Sequence, residues 1–321
     1  MGSELHLSLY EKYALVARLV RRFFTRRDFL IIGLASLAWA LRAVGGSVLF
    51  PLSIGIIVNH LNSGGQGLPL MALAFLILSV SINLLTEWVF RPYNYLFARK
   101  ISELRTRLAD SIKKINSAGQ SPDRNLDDDL IGKITSDVDF VMWNLSGVIG
   151  TIVPNLLMMA FAVVTIVYTN LLMAGISTLL LPLYFLVVRK YSNDVFMIRM
   201  EERRTFSRII KLSSDVIDGH SDSNLFDGTL RSWNKVMYRQ ITIDRVYWTY
   251  ALFFMGFGPI VLLTIGVHLV NQSLLSVGNL VTIVLAANNI YGPIAAMVWG
   301  FALLSQTAPP AKRIEETLDT T

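Results

Sequence analysis

The stretch Ser276-Val277-Gly278-Asn279-Leu280 opens the last long apolar segment of the chain, which continues to Leu304 and is interrupted at Asn288-Asn289. Pro309-Pro310 follow it, and the chain is polar from Ala311 to Asp319. A segment of this length predicts a helix that crosses a membrane, since about 20 apolar residues span the hydrocarbon core. The polar segment predicts a short charged helix that lies outside the membrane.

Five earlier segments have the same character. The six apolar windows are Phe29–Asn59, Leu68–Val89, Phe140–Tyr168, Leu171–Val188, Val246–Val270 and Leu280–Leu304. The chain is only 16% charged, whereas soluble domains carry about 25% charged residues. A backbone inside lipid must satisfy its own hydrogen bonds, so the windows are predicted to be helices. The sequence therefore predicts an all-α membrane protein with six transmembrane helices.

The positive charges predict how these helices are oriented. Of the 29 Lys and Arg residues, only Arg42 lies inside a window, and the loops 60–67, 169–170 and 271–279 carry none. Because positive residues stay on the cytoplasmic side of a membrane, both termini and the two long connections are predicted to be cytoplasmic, in a plasma (inner) membrane. This placement accounts for the net charge of +6, so membrane lipid is a predicted partner and nucleic acid is not.

The residue types that usually carry enzyme chemistry are scarce. The chain has no cysteine, and its four histidines, His6, His60, His220 and His268, show no metal-ligand spacing. The phosphate-binding pattern G-x-x-x-x-G-K-[ST] does not occur in the sequence. We therefore predict no catalytic, cofactor-binding or metal-binding residue, and no enzyme activity, on this chain.

The cytoplasmic connections 90–139 and 189–245 are long, charged and periodic. Their apolar residues recur at helical spacing, as in Leu96, Ile101, Leu104, Leu108 and Ile112 and in Ile198, Phe206, Ile209, Leu212 and Val216. A connection of about 50 residues without its own structure is uncommon. The second to fifth helices are therefore predicted to continue into the cytosol, with turns at Gly119–Asp123 and Asp218–Asp222.

These boundaries divide the chain into three parts. Residues 1–28 form an amphipathic elbow helix and a cytosolic segment, with the helix expected to lie on an anionic inner leaflet or, as the alternative, to bind a partner. Residues 29–308 form the six-span membrane domain with its two intracellular loops. Residues 309–321 form an exit segment.

Several of these segments resemble the transmembrane domain of ABC exporters, the ATP-driven transporters with six spans and long intracellular loops. The run Asp128-Asp129-Leu130-Ile131-Gly132-Lys133-Ile134-Thr135-Ser136-Asp137-Val138 resembles that family's G-E-L-[IV]-S-R-L-T-N-D-V segment. Ser276–Val281, Tyr291-Gly292-Pro293 and Ala311–Ile314 resemble its final helix and exit. In the second connection Asp215, Gly219 and Phe226 follow the family's E…G…F pattern, but His220–Asn224 departs from it.

The resemblance implies an exporter fold that is dimeric and domain-swapped, with a second membrane domain of the same or another chain. It also implies a nucleotide-binding domain, in cis or in trans, that holds ATP and Mg²⁺. In the family that domain begins just after the segment where this chain ends, so a truncated transporter and a stand-alone membrane domain both remain open. The residues expected to couple the two domains are Gln120, Asp123, Asp128, Asp129, Asp215, Gly219 and Asp222.

Polar residues inside the predicted spans are the candidates for a substrate cavity, because ionisable groups in a membrane are costly and usually functional. Arg42 lies in the first span, and Glu87 lies toward the inner end of the second. The alternatives are an ion pair between these two residues and polar contacts that only hold helices together. The candidate cavity residues are Trp39, Arg42, Asn83, Glu87, Asn288, Asn289 and Trp299.

The predicted function is therefore the membrane domain of an ATP-driven exporter, which forms the substrate pathway and transmits motion through two coupling helices. One alternative is a stand-alone ABC-like membrane subunit with a scaffold or regulatory role, which the departure in the second connection favours. The other is a secondary transporter or channel. That class is typically built from inverted repeats around a midplane ion site, and the sequence has no such repeat.

Overall fold

The computed structural model describes residues 9–117, 136–179 and 223–319, together with isolated positions between 181 and 216. The described residues form helices, and none of them lies in a β-strand, which confirms the all-α fold. The helices are α1 Leu9–Phe23, α2 Arg26–Val44, α3 Phe50–Asn62, α4 Leu70–Ser117, α5 Val138–Thr169, α6 Leu171–Leu179, α7 Ser223–Asn271 and α8 Val277–Asp319. A single π-helical turn, Gly45–Leu49, joins α2 to α3.

Five helical stretches within the described residues are long and apolar enough to cross a membrane. They are Arg26–Asn62, Leu70–Ser111, Val138–Thr169, Asn224–Asn271 and Val277–Ile294. Each of them overlaps one of the six predicted windows, so five windows are matched. Of the remaining window, 171–188, the part in α6 ends at Leu179 and most of the rest lies outside the described residues. The protein is a multi-pass membrane protein.

Helix α2 begins at a capping box that the sequence Thr25-Arg26-Arg27-Asp28 encodes. The Thr25 backbone N–H donates to Asp28 Oδ2 at 2.8 Å, and the Asp28 backbone N–H donates to Thr25 Oγ1 at 3.4 Å. Each side chain thus satisfies a backbone donor that the first turn leaves free. The cap fixes the point at which the chain turns from α1 into the first span.

Helices α4 and α8 are much longer than a membrane requires. At 1.5 Å per residue, the 48 residues of α4 extend over roughly 72 Å, whereas the hydrocarbon core is about 30 Å thick. Helix α8 runs without interruption through Pro309-Pro310 to Asp319. The polar exit segment that the sequence predicted as a separate short helix is therefore the last part of α8.

The chain divides into two compact units, residues 1–174 with 262–321, and residues 175–261. The core of the first unit is built from α1, α2, α4, α5 and the far end of α8. Its fully buried side chains include Phe97, Leu108, Val138, Met142 and Ile314. This core lies beside the charged extensions of α4 and α8, so it ties the first and last helices of the chain together.

The second unit consists of the described part of the 175–261 segment, mainly the first part of α7. Within it, Arg239 Nη1 lies 3.7 Å from Glu201 Oε2, and the rings of Phe206 and Trp233 lie 6.4 Å apart. The rings of Phe253 and Phe257 stack at 5.1 Å, one helical turn apart. Helix α7 continues beyond this unit to Asn271.

Candidate functional site

The π-helical turn in the first span is a meeting point for three other helices. The Phe50 N–H donates to the Gly45 carbonyl five residues earlier, which widens the helix at this turn. Ser79 Oγ of α4 donates to the same carbonyl at 2.8 Å. Thr165 Oγ1 of α5 shares its proton between the Ser47 carbonyl at 2.9 Å and the Phe161 carbonyl of its own helix at 2.8 Å. Asn289 Nδ2 of α8 donates to the Gly46 carbonyl at 3.2 Å.

We call this arrangement the π-turn node: Gly45, Gly46 and Ser47 with their donors Ser79, Thr165 and Asn289. Polar groups inside a membrane are satisfied by neighbouring helices because no water is available there. The Ser47 hydroxyl is itself buried and has no hydrogen-bond partner among the described residues. The node therefore fixes α4, α5 and α8 against one irregular turn, and such turns frequently occur at functional sites.

Two glycines allow α3 and α8 to cross at very short distance. A Cβ added to Gly278 would lie 2.0 Å from the Gly55 carbonyl oxygen, and one added to Gly55 would lie 1.9 Å from Thr282 Oγ1. The Gly278 N–H donates to Asn59 Oδ1 at 2.8 Å. Thr282 Oγ1 lies within hydrogen-bond distance of the Pro51 carbonyl, at 3.2 Å, and of the Gly278 carbonyl of its own helix, at 3.0 Å. Small residues of this kind let transmembrane backbones approach closely.

Arg42 and Glu87 form an ion pair between α2 and α4. Both side chains are open to the surroundings of the chain, with exposed fractions of 45% and 60%. Asn83 lies one turn before Glu87, and its Nδ2 donates to the Ser79 carbonyl at 2.8 Å. Arg42 lies just before the π-helical turn, and Glu87 lies about two helical turns after Ser79 in α4, so the ion pair is close in sequence to the π-turn node on both helices.

The remaining predicted cavity residues lie elsewhere. Trp39 is buried against Phe90 and Tyr93, with ring centroids 5.4 Å and 5.2 Å away. Asn288 and Trp299 are exposed on α8. The structure thus brings Arg42, Glu87 and Asn83 together and places Asn289 in the π-turn node, but it does not join Trp39, Asn288 or Trp299 to them. The cavity role of the seven residues stays a prediction.

Sequence reasoning missed several members of the site. Ser79 and Thr165 are single hydroxyl residues in apolar helices, and such residues most often bond only to their own helix. The adjacent glycines Gly45-Gly46 were the available signal, because a glycine pair in the middle of a span marks a kink or an irregular turn.

The residues predicted to couple to a nucleotide-binding domain lie outside the described part of the chain. They are Gln120, Asp123, Asp128, Asp129, Asp215, Gly219 and Asp222. Within the described residues, Arg105 Nη2 of α4 donates to Asp139 Oδ1 of α5 at 2.8 Å. This contact joins the extension of α4 to the start of α5.

A buried charge cluster holds the start of α2 against α4. Asp28 is fully buried and pairs with Arg99 and with Lys100, whose Nζ lies 2.8 Å from Asp28 Oδ2. Lys100 is also nearly fully buried and reaches Glu103 Oε2 at 2.7 Å. Arg99 and Lys100 compensate the buried Asp28, and Glu103 balances the second positive charge, as buried charges require.

The apolar face of helix α1 packs against other helices of the protein, whereas the sequence analysis predicted that this face lies on lipid. Its apolar residues Val16, Leu19 and Phe23 are buried in the same core as Ala311 and Ile314 of α8. We call this contact the terminal clasp. Two ion pairs flank it, Arg18 with Glu315 at 4.0 Å and Arg22 with Asp319.

The fold and these sites define a multi-pass helical membrane protein whose helices extend well beyond the bilayer. The chain belongs to the ABC transporter transmembrane region family, whose model matches residues 34–221. It is also similar to the multidrug resistance-like ATP-binding protein MdlA of Buchnera aphidicola subsp. Baizongia pistaciae (strain Bp), with 20% identity over 286 residues. That match covers 84% of this chain and 48% of the relative, so the chain spans about half the length of the curated relative it matches.

Proposed function

We propose that this chain is the membrane domain of an ATP-driven exporter and that it forms one side of the substrate pathway. The observation that carries the proposal is the unbroken helix α4, Leu70–Ser117, in a chain of this family. A helix that only anchors a protein needs about 20 residues. The additional length is suited to transmitting movement from a cytosolic domain to the membrane.

In this proposal a nucleotide-binding domain, in cis or in trans, binds ATP with Mg²⁺ and hydrolyses it, and this chain does neither. A second membrane domain completes the pathway. Both termini and the helix extensions lie in the cytosol of a cell with a plasma (inner) membrane. The nucleotide-binding domain meets the two connections around Gln120–Asp129 and Asp215–Asp222.

Three contacts of the described residues suit such a transmission. The Arg105–Asp139 pair links the extensions of α4 and α5 at 2.8 Å. The terminal clasp fixes the far end of α8. The π-turn node lies in the membrane between these helices, where an irregular turn bends at lower cost than a regular helix. A displacement at the cytosolic ends would reach the Arg42–Glu87 pair through this turn.

The decisive experiment reconstitutes the chain in vesicles with a nucleotide-binding partner that co-purifies with it. The exporter proposal expects ATP hydrolysis to rise when the chain is present and solute movement to require ATP. A binding partner with neither stimulated hydrolysis nor transport would instead identify a scaffold or regulatory subunit. Transport driven by an ion gradient without ATP would identify a secondary transporter and would refute the proposal.

A further inference from the structure

The Arg42–Glu87 pair lies on the outside of the described unit but within its membrane-length helices. Large apolar side chains within three residues of Arg42 or Glu87 on the same helices are exposed as well: Leu41, Leu84, Leu85 and Trp88. The Arg42 guanidinium and the Glu87 carboxylate thus form a small charged patch on an otherwise apolar surface. Such a surface matches an amphiphile, which has an apolar chain and a polar headgroup.

Stability alone does not account for this pair. An exposed ion pair in water contributes about 0–1 kcal/mol, and ionisable groups that face lipid are costly. Both side chains lie within apolar segments of their helices, next to Leu41 in α2 and Leu84 in α4. The pair therefore needs polar surroundings, which a water-filled pathway or a polar ligand provides.

We infer that Arg42 and Glu87 together bind the zwitterionic headgroup of an amphiphilic substrate. The guanidinium binds the anionic group, phosphate above all, because its fork of N–H donors matches two oxygens at once. The carboxylate binds the cationic amine, and the alkyl chain lies on the exposed leucines. This inference rests on the proposed function, since it assumes that the pair faces the substrate pathway.

The pairing of the two charges selects a zwitterion over a singly charged ligand. A cation that binds Glu87 competes with Arg42 for the same carboxylate and leaves the guanidinium without a counter-charge on an otherwise apolar surface, which is costly within a membrane. A zwitterion replaces both partners at once, so each protein charge keeps a counter-charge throughout binding.

The test uses matched photoreactive amphiphiles that share one alkyl chain and carry a phosphocholine, a trimethylammonium or a sulfate headgroup. The purified chain, in a neutral maltoside detergent and without ATP, is crosslinked to each, and the labelled peptides are mapped by mass spectrometry. We expect the phosphocholine to label α2 and α4 near Arg42 and Glu87 most strongly, by at least tenfold over the other two.

Neutralising one member of the pair should reverse the preference. Arg42→Gln leaves a lone carboxylate and should favour the trimethylammonium probe. Glu87→Gln leaves a lone guanidinium and should favour the sulfate probe. Arg42→Lys keeps both charges and should keep the phosphocholine preference. Lys114→Gln and Asp110→Asn, which make the same charge changes on the exposed far end of α4, should leave the order of the probes unchanged.

A purely structural ion pair gives a different pattern. If every variant that elutes as a single folded species retains the same order of probes, the inference is wrong. The inference is also wrong if the probes label no peptide near Arg42 and Glu87 and this region instead crosslinks to a second copy of the chain. The crosslinking measurement uses no ATP, so the two proposals can fail separately. If the variants reverse the order of the probes but the chain supports no ATP-driven transport, the proposed function alone is refuted. If ATP-driven transport occurs but the variants do not reverse the order of the probes, only this inference is refuted.

Discussion

Individual residues decide how closely the membrane helices approach one another. Gly55 and Gly278 place the backbones of α3 and α8 in direct contact, and Asn59 and Thr282 bond across the same crossing. The π-turn node uses hydroxyl and amide groups from three helices for a similar purpose. At this scale the architecture depends on small and polar side chains more than on the large apolar ones.

Gly278→Ala tests the glycine crossing. The added methyl group would lie 2.0 Å from the Gly55 carbonyl, so the helices must separate, and we expect a loss of about 1–3 kcal/mol in stability. The measurement is thermal unfolding of the detergent-solubilised protein followed by size exclusion. Gly33→Ala is the matched control, because a Cβ at Gly33 meets nothing within 4 Å. Equal midpoints for the two variants would contradict the crossing.

Ser79→Ala tests the π-turn node. It removes the donor that lies 2.8 Å from the Gly45 carbonyl, and interhelical hydrogen bonds in membranes are worth about 0.6–1.7 kcal/mol. We expect a lower unfolding midpoint than in Ser36→Ala, whose hydroxyl donates only to the Ile32 carbonyl of its own helix. A midpoint for Ser79→Ala at or above that of the control would show that the contact between helices adds no stability.

At the scale of the element, α8 is held at both ends. Its start is fixed by the glycine crossing and its far end by the terminal clasp, where Ala311 and Ile314 are fully buried. The helix continues through Pro309-Pro310 although proline removes a backbone donor. Tertiary packing on both sides of the prolines stabilises this continuity, which local sequence alone does not predict.

The ion pairs of the terminal clasp give a prediction for hydrogen exchange. The double variant Arg18→Glu with Arg22→Glu places like charges beside Glu315 and Asp319, so we expect faster amide exchange over 311–319. Arg21→Glu is the control, since Arg21 is exposed and forms no ion pair among the described residues. Adding Glu315→Arg and Asp319→Arg to the double variant should restore slow exchange. Unchanged exchange in the double variant would mean that the apolar contacts alone hold α8.

The apolar lengths predicted the helices well, because membrane thickness and backbone hydrogen bonding leave few alternatives. The Arg42–Glu87 pair was an open alternative in the sequence, and the structure contains it. Ser79 and Thr165 could not be identified, since each bonds a backbone carbonyl of the π-helical turn, which lies far away in the sequence. Helix α1 was predicted on lipid because amphipathicity does not reveal whether lipid or protein covers the apolar face.

At the scale of the whole molecule, the described helices combine membrane-length apolar segments with charged extensions on one side. Arg and Lys residues lie at the start of α2 and along the last part of α4, whereas the α3–α4 loop carries none. By the positive-inside rule this asymmetry predicts that the extensions lie in the cytosol.

The absence of cysteine from the sequence makes the orientation directly measurable. Single variants Ser63→Cys, in the loop before α4, and Lys114→Cys, near the end of α4, are treated in whole cells with a membrane-impermeant maleimide. We expect labelling of Ser63→Cys in intact cells and of Lys114→Cys only after permeabilisation. The cysteine-free parent protein is the control for background. The opposite pattern would reverse the proposed orientation.

The glycine crossing restricts how α8 can move. Gly278 fits only where Gly55 leaves room for it, so a shift of the helix along its own axis by even one residue would drive a side chain into the α3 backbone. Sliding is therefore blocked, whereas tilting about Gly278 is not. Since Gly278 and Asp319 belong to one helix roughly 60 Å long, a tilt of a few degrees at this pivot would displace the clasped end by several ångströms.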